Sequence, residues 1–175
     1  CGRSSARLKA DANVVVNIRD RQCAVEIQNF LAHADGDRAG DGVIHELGIA
    51  LPGKNVTVVG VGALVGKPLS IMLMNEQASV TTINSETQNP KEKCLAADII
   101  VTGVGKRNLI TADMVHENSI VIDTGFVFEN GKSSGDVDFD AVAPLVKAIT
   151  PTPGGIGPIT VAQLLRNTVL CAQNK

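Results

Sequence analysis

Short β-branched runs alternate along the chain with stretches in which apolar side chains return every three or four positions. The runs at 55–60, 79–83, 98–102 and 119–123 read as strands, and 66–77, 90–97 and 111–115 as helical segments between them. Pro68 sits in the first turn of the 66–77 segment, where a missing N–H costs nothing. Residues 43–47 read as a short helix closed by Gly48. Strand-helix alternation predicts a mostly parallel, doubly wound sheet with helices on both faces. Residues 126–133 interrupt it, and Asn130-Gly131 predicts a small β-hairpin excursion there. A short helix over 139–146 leads to a strand at 148–150, and a last helix runs from about Pro158 to Gln173.

Residues 1–42 differ in character. A polar start is followed by the run Val14-Val15-Val16, an amphipathic stretch over 19–33, and then three Asp and three Gly within residues 35–42, a composition that reads as a linker and lacks the bidentate acid of a calcium loop. The expected division is therefore an unassigned N-terminal segment, 1–42, and one α/β domain, 43–175.

Composition narrows the partners. The 175 residues suffice for one substantial core, and 44% apolar against 19% charged residues suits a folded globular chain. A net charge of −2 leaves no basic footprint for nucleic acid or an anionic membrane, and no run of about 18 apolar residues spans a bilayer. The four cysteines, Cys1, Cys23, Cys94 and Cys171, have neither disulfide-framework nor zinc spacing, so no metal is expected and a reduced, cytoplasmic compartment is, with an organellar one left open. Cys94 and Cys171 read as small core residues. His33, His45 and His116 read as surface or structural. A chain beginning with Cys1 reads as processed or as a piece of something longer.

Four stretches carry candidate chemistry. Val58 to Pro68 lies between a predicted strand and helix: Gly60 permits a tight turn, Gly62 lets the backbone approach a diphosphate, and the helix start offers N–H groups to an anion, although a purely structural turn fits the GxGxxxG spacing too. Beyond the next strand, Glu86 is either a ribose-binding acid or a solvated loop residue. The glycines of Val101 to Lys106 either admit a ribose or nicotinamide or turn the chain. Residues 149–160, with Pro151, Pro153, Pro158 and three glycines at a helix start, form either a rigid connector or a loop against a ligand. Asp123, at a strand end, either touches ligand or anchors a loop.

The blocks Gly53-Lys54 to Gly66-Lys67-Pro68, Ala97-Asp98-Ile99, Thr111 to Val115, Val121-Ile122-Asp123, Gly135 to Phe139 and Thr150 to Pro158 stand in an order and spacing that resembles the bifunctional methylenetetrahydrofolate dehydrogenase/methenyltetrahydrofolate cyclohydrolase family. The resemblance implies a Rossmann-type NAD(P)-binding domain. It also implies a folate substrate, oxidation of 5,10-methylenetetrahydrofolate followed by hydrolysis to 10-formyltetrahydrofolate, and a homodimer. Carried over by position, Gly60, Val61 and Gly62 form the cofactor loop, Ser85 lies near the adenosine end, Phe126 lines the cofactor, and Pro153, Gly154, Gly155, Gly157 and Pro158 border the folate.

Three departures stand out. Val61-Gly62 replaces the Arg-Ser that the family uses to hold the 2′-phosphate of NADP, Asn84 replaces a histidine, and Phe126 replaces a smaller isoleucine. At roughly 1.5–3 kcal/mol per charge-assisted hydrogen bond, each lost phosphate partner is worth about tenfold or more in NADP affinity, so the residues point toward NAD or weaker binding altogether while the resemblance implies NADP, and the cofactor is NADP or NAD. The family's catalytic Tyr-x-x-x-Lys is missing, since the chain has no Tyr, so no catalytic residue is assigned. The rival reading is a non-catalytic dinucleotide-binding or partner-binding fragment.

Overall fold

The computed structural model describes residues 14–15, 50–129, 131–158, 160, 161, 165, 169 and 172. The 1–42/43–175 boundary, the expected helix at 43–47 and the linker at 35–42 lie outside them.

Six strands form one parallel sheet. They are β1 (Val14–Val15), β2 (Asn55–Val59), β3 (Ser79–Ile83), β4 (Ile99–Thr102), β5 (Ile120–Asp123) and β8 (Ala148–Ile149), in the spatial order β1-β8-β5-β4-β2-β3. The remaining pair, β6 (Val127–Glu129) and β7 (Lys132–Ser134), is the antiparallel hairpin expected around Asn130-Gly131. Because β2 has β3 on one side and β4 on the other, the crossovers diverge from it. The crevice outside its carboxyl end is the topological switch point where such sheets take ligands.

Period-two alternation sends the two sides of each strand into different cores. Val56, Val58, Ile99, Val101, Ile120 and Ile122 pack with Leu69 and Leu73 of α1 (Gly66–Asn75) and with Ile156. Ile100, Val121 and Ile149 face the other way, toward Cys94 of α2 (Pro90–Leu95), Val115 and Val142 of α3 (Phe139–Val142). Both faces are thus covered, which is why the central strands read as near-continuous apolar runs. Thr57 is the buried polar exception, and its hydroxyl donates to the Lys93 carbonyl at 3.0 Å, tying β2 to α2.

Three helices differ from expectation. Residues 111–115 shorten to a 3-10 turn, Ala112–Met114, where the Asp113 carboxylate is taken by Thr111 and by Lys91 at 2.8 Å. The 139–146 helix stops at Val142, ahead of Pro144, which has no N–H to continue it. The last helix begins at Ile156 and not Pro158, since a proline is tolerated anywhere in a first turn whose N–H groups have no intrahelical acceptor. Val14–Val15 extends the sheet beyond β8, so part of the unassigned N-terminal segment lies within the fold. Among the described residues no helix is long and apolar enough to cross a membrane.

On α1, Leu73 is fully buried while Ile71, two positions away, is 57% exposed. Leu73→Ala should lower the unfolding free energy by about 2–5 kcal/mol, and Ile71→Ala should stay within about 0.5 kcal/mol, both read from urea titrations.

Candidate dinucleotide cleft

All six strands of the main sheet run the same way, so the loops after β2, β3, β4, β5 and β8 gather on one edge. A cleft of about 610 Å³ opens there over the switch point. Val59, Gly60 and Val61 form its floor, Ile83, Asn84, Ser85, Thr87 and Pro90 one wall, and residues from Val104 to Met114, Lys106 among them, the other.

The floor depends on close backbone approach. Gly60 has φ +94°, and a Cβ there would press on Val104 and the Gly103 carbonyl. A Cβ on Gly66, the first residue of α1, would collide with the Gly60 carbonyl oxygen. These two glycines let α1 start directly behind the loop. The amides of residues 61–66 then find no acceptor among the described residues, and the space beside Gly62 is open. N–H groups at the positive end of a ten-residue helix, bordered by an open glycine, suit a diphosphate.

The β3 wall is a locally bonded turn. The Asn84 amide oxygen accepts from the Glu86 N–H and the Thr87 hydroxyl, while Thr87 Oγ1 accepts from the Asn84 N–H. Ser85 is left on the cleft with its hydroxyl uncommitted among the described residues. Glu86 is exposed and does not line the cleft.

The β4 wall rests on a buried acid. Asp136 takes the Thr102 hydroxyl (2.8 Å) and the Val104 N–H (2.7 Å) on Oδ2, and the Gly105 (2.9 Å) and Lys106 (2.8 Å) N–H groups on Oδ1. Its own carbonyl accepts from Leu109 and Ile110. Four donors on one acceptor-only group satisfy both oxygens. Beside it, Asp123 accepts from Gly125, Asp136 and Val137 N–H groups, while its own N–H donates to Thr150 Oγ1. Asp123 is thus a loop anchor, the second of the two roles its sequence position allowed. A Cβ on Gly125 would collide with the Asp136 carboxylate, and one on Gly135 with that of Asp123.

Of the residues expected at the cofactor, Gly60, Val61 and Ser85 meet on the cleft, Gly62 adjoins it in the same loop, and Phe126 stands outside, 63% exposed. The stretch from Pro153 to Pro158 lies along the same edge beyond Asp123, and holds the Thr152-Pro153 cis bond. Gly154 (φ +100°) and Gly155, whose Cβ would strike the Pro151 carbonyl, shape its path; Pro153, Gly154, Gly157 and Pro158 are exposed. Sequence reasoning missed Asp136 and Lys106. Both stand in blocks that carry the resemblance or the glycine pattern, but the contact joining them spans thirty positions. His116 is structural, with Nε2 at 3.2 Å from the Ala97 carbonyl oxygen. Cys94 is buried, and burial pushes its thiol up to about 11. Cys1, Cys23, Cys171, His33 and His45 lie outside the described residues.

Burial raises the Asp123 carboxyl from 3.8 to about 6, against the lowering pull of its three N–H donors and with Asp136 adding to the rise. Between those values the folded protein holds a proton that the unfolded chain has released, so stability falls as pH rises through that window. Urea midpoints should therefore decline from about pH 4 to about pH 6 and flatten in Asp123→Asn; an equal slope in the variant contradicts this. Gly66→Ala should weaken dinucleotide binding and destabilise by about 1–3 kcal/mol through overpacking, read by calorimetry and denaturation.

A family model for the NAD(P)-binding domain of tetrahydrofolate dehydrogenase/cyclohydrolase matches residues 40–175. The bifunctional protein FolD of Campylobacter curvus is 50% identical over 134 residues, which make up 76% of this chain and 46% of that protein. The crystal structure of the bifunctional FolD methylenetetrahydrofolate dehydrogenase/cyclohydrolase from Campylobacter jejuni superposes with a TM-score of 0.72 at 41% identity, over 75% of this chain and 47% of that one. The dehydrogenase-cyclohydrolase FolD of Trypanosoma brucei, complexed with NADP cofactor and an inhibitor, gives 0.67 at 35% identity, over 73% and 46%. The chain spans about half the length of the curated relatives it matches. With the doubly wound sheet and the cleft at its switch point, these matches establish that the chain belongs to the tetrahydrofolate dehydrogenase/cyclohydrolase family through its NAD(P)-binding domain.

Proposed function

We propose that this chain is the cofactor half of an enzyme that oxidises 5,10-methylenetetrahydrofolate and hydrolyses the methenyl product to 10-formyltetrahydrofolate. The carrying observation is the cleft at the carboxyl ends of β2, β3 and β4, adjoining a helix start whose amides at 61–66 find no acceptor among the described residues, in a chain that the family's NAD(P)-binding model matches over 40–175. The nicotinamide, when bound, accepts the hydride from the one-carbon unit. Gly60, Val61 and Gly62 hold the diphosphate and Ser85 the adenosine side, whereas Phe126, expected to line the cofactor, stands exposed outside the cleft and is given no role in it. Pro153, Gly154, Gly155, Gly157 and Pro158 border the folate, which the exposure of all but the buried Gly155 on the same edge supports. A cytoplasmic homodimer completes the reading. The free, buried Cys94 thiol suits a reducing compartment, and the exposed apolar Val161, Leu165 and Val169, four residues apart, suit a covering surface.

A second reading is dinucleotide binding without catalysis by these 175 residues on their own, among which there is no Tyr and so no Tyr-x-x-x-Lys pair. Titration with NADP and NAD, followed by an assay of dinucleotide reduction with methylenetetrahydrofolate, separates the two. Binding with reduction supports the enzyme, binding alone supports the second reading, and no binding refutes both.

A further inference from the structure

We propose that Lys106 selects NADP over NAD by taking the adenosine 2′-phosphate, and that Asp136 is the positioning residue that presents it; the proposal rests on the dinucleotide reading above. Doubly wound folds read the adenosine ribose beside the loop after the second strand of the unit, here Asn84 to Thr87. A 2′-hydroxyl is held there by a carboxylate, a 2′-phosphate by a cation. Among the described residues lining the cleft there is no acid, and Lys106, which shares that lining with Ser85, is the one charged side chain. The cation that Val61 no longer supplies at the floor is thus present on another loop.

A lysine on a free loop would lose much of its effect to conformational entropy. Here the backbone is fixed: the Asp136 carboxylate holds the amides of residues 104–106, its carbonyl holds those of Leu109 and Ile110, and Gly105 turns at φ +77° between them. The Ser85 hydroxyl completes a donor pair across the cleft.

Calorimetric titration of the full chain with NADP and with NAD tests this. The wild type should prefer NADP. Lys106→Met should weaken NADP about tenfold, weaken NAD less than about twofold, and flatten the salt dependence of NADP binding, whereas Lys106→Arg should keep the preference. Asp136→Asn should weaken NADP too, and the double variant should lose less than the product of the two single losses. If Asp136→Asn fails to fold by circular dichroism, Thr102→Val, which removes one donor from the carboxylate, replaces it in the cycle. A wild-type preference for NAD, or equal losses of both dinucleotides in Lys106→Met, overturns the assignment of Lys106. Independent losses in the cycle overturn that of Asp136. A wild type that binds neither dinucleotide overturns the cleft reading itself, a failure distinct from binding with the wrong preference.

Discussion

The carboxyl edge of the sheet depends on two buried carboxylates packed side by side. Asp123 ends β5 and Asp136 follows the hairpin, so the chain leaves the edge at Gly125, makes the β6–β7 excursion and returns at Gly135. Only residues without a Cβ fit at the exit and the return. Removing two carboxylates from water is costly, and the cost is offset here by main-chain N–H groups from three loops together with the Thr102 hydroxyl. Those donors belong to the segments that must stay in place for a ligand: the loop after β4, the turn after β5 and, through the Asp123 N–H, the Thr150 end of β8. One polar knot, sealed by glycine, therefore organises the sheet's working edge.

The floor of the cleft follows a related logic with a different currency. The Gly60 and Gly66 backbones touch, which drives the start of α1 close to the strand end and leaves the amides of the intervening loop facing outward. Elsewhere such orphan N–H groups would be capped by a Ser, Thr, Asp or Asn side chain. Here the residue before α1 is Val65, with no side-chain cap. A helix start left uncapped beside an open glycine is poorly made as a structural turn and well made as an anion cradle. That contrast adds to the weight that strand-loop-helix context already gives the dinucleotide reading over a purely structural turn.

What the sequence made legible follows the range of the interactions. Strand β3 falls on 79–83 as expected, because hydrophobic alternation and flanking turn residues are local signals. The hairpin is likewise where Asn130-Gly131 puts it. The helices at 111–115 and 139–146 came out shorter because a side-chain clamp from Lys91 on another element and a proline two residues beyond Val142 overrode a weak periodic signal. At the site, strand-loop-helix order singles out Gly60 and Gly62 and the resemblance adds Val61 and Ser85, of which the structure brings Gly60, Val61 and Ser85 onto one cleft. Asp136 was not legible, since its partners at 102–106 lie 30 to 34 positions away and nothing in its own neighbourhood distinguishes it from a loop acid.

The same range argument bears on inferring cofactor preference from missing residues. Losing Arg-Ser from the triplet removes two phosphate partners, but a cleft is built from several loops, and its electrostatics are a property of their sum. Within an otherwise uncharged lining that mixes apolar residues with Asn84, Ser85 and Thr87, the Lys106 ammonium group sets the sign of the local potential. The floor, two walls and charge of the cleft are thus all supplied by residues 59–114 and braced by Asp136. The loop at Pro153 to Pro158 is the opposite case, shaped from within by Gly154 and Gly155 yet exposed along its outer side. The cleft and that loop are consequently shaped by separate residues, linked through Asp123, which accepts from the Asp136 N–H and donates its own N–H to Thr150 Oγ1.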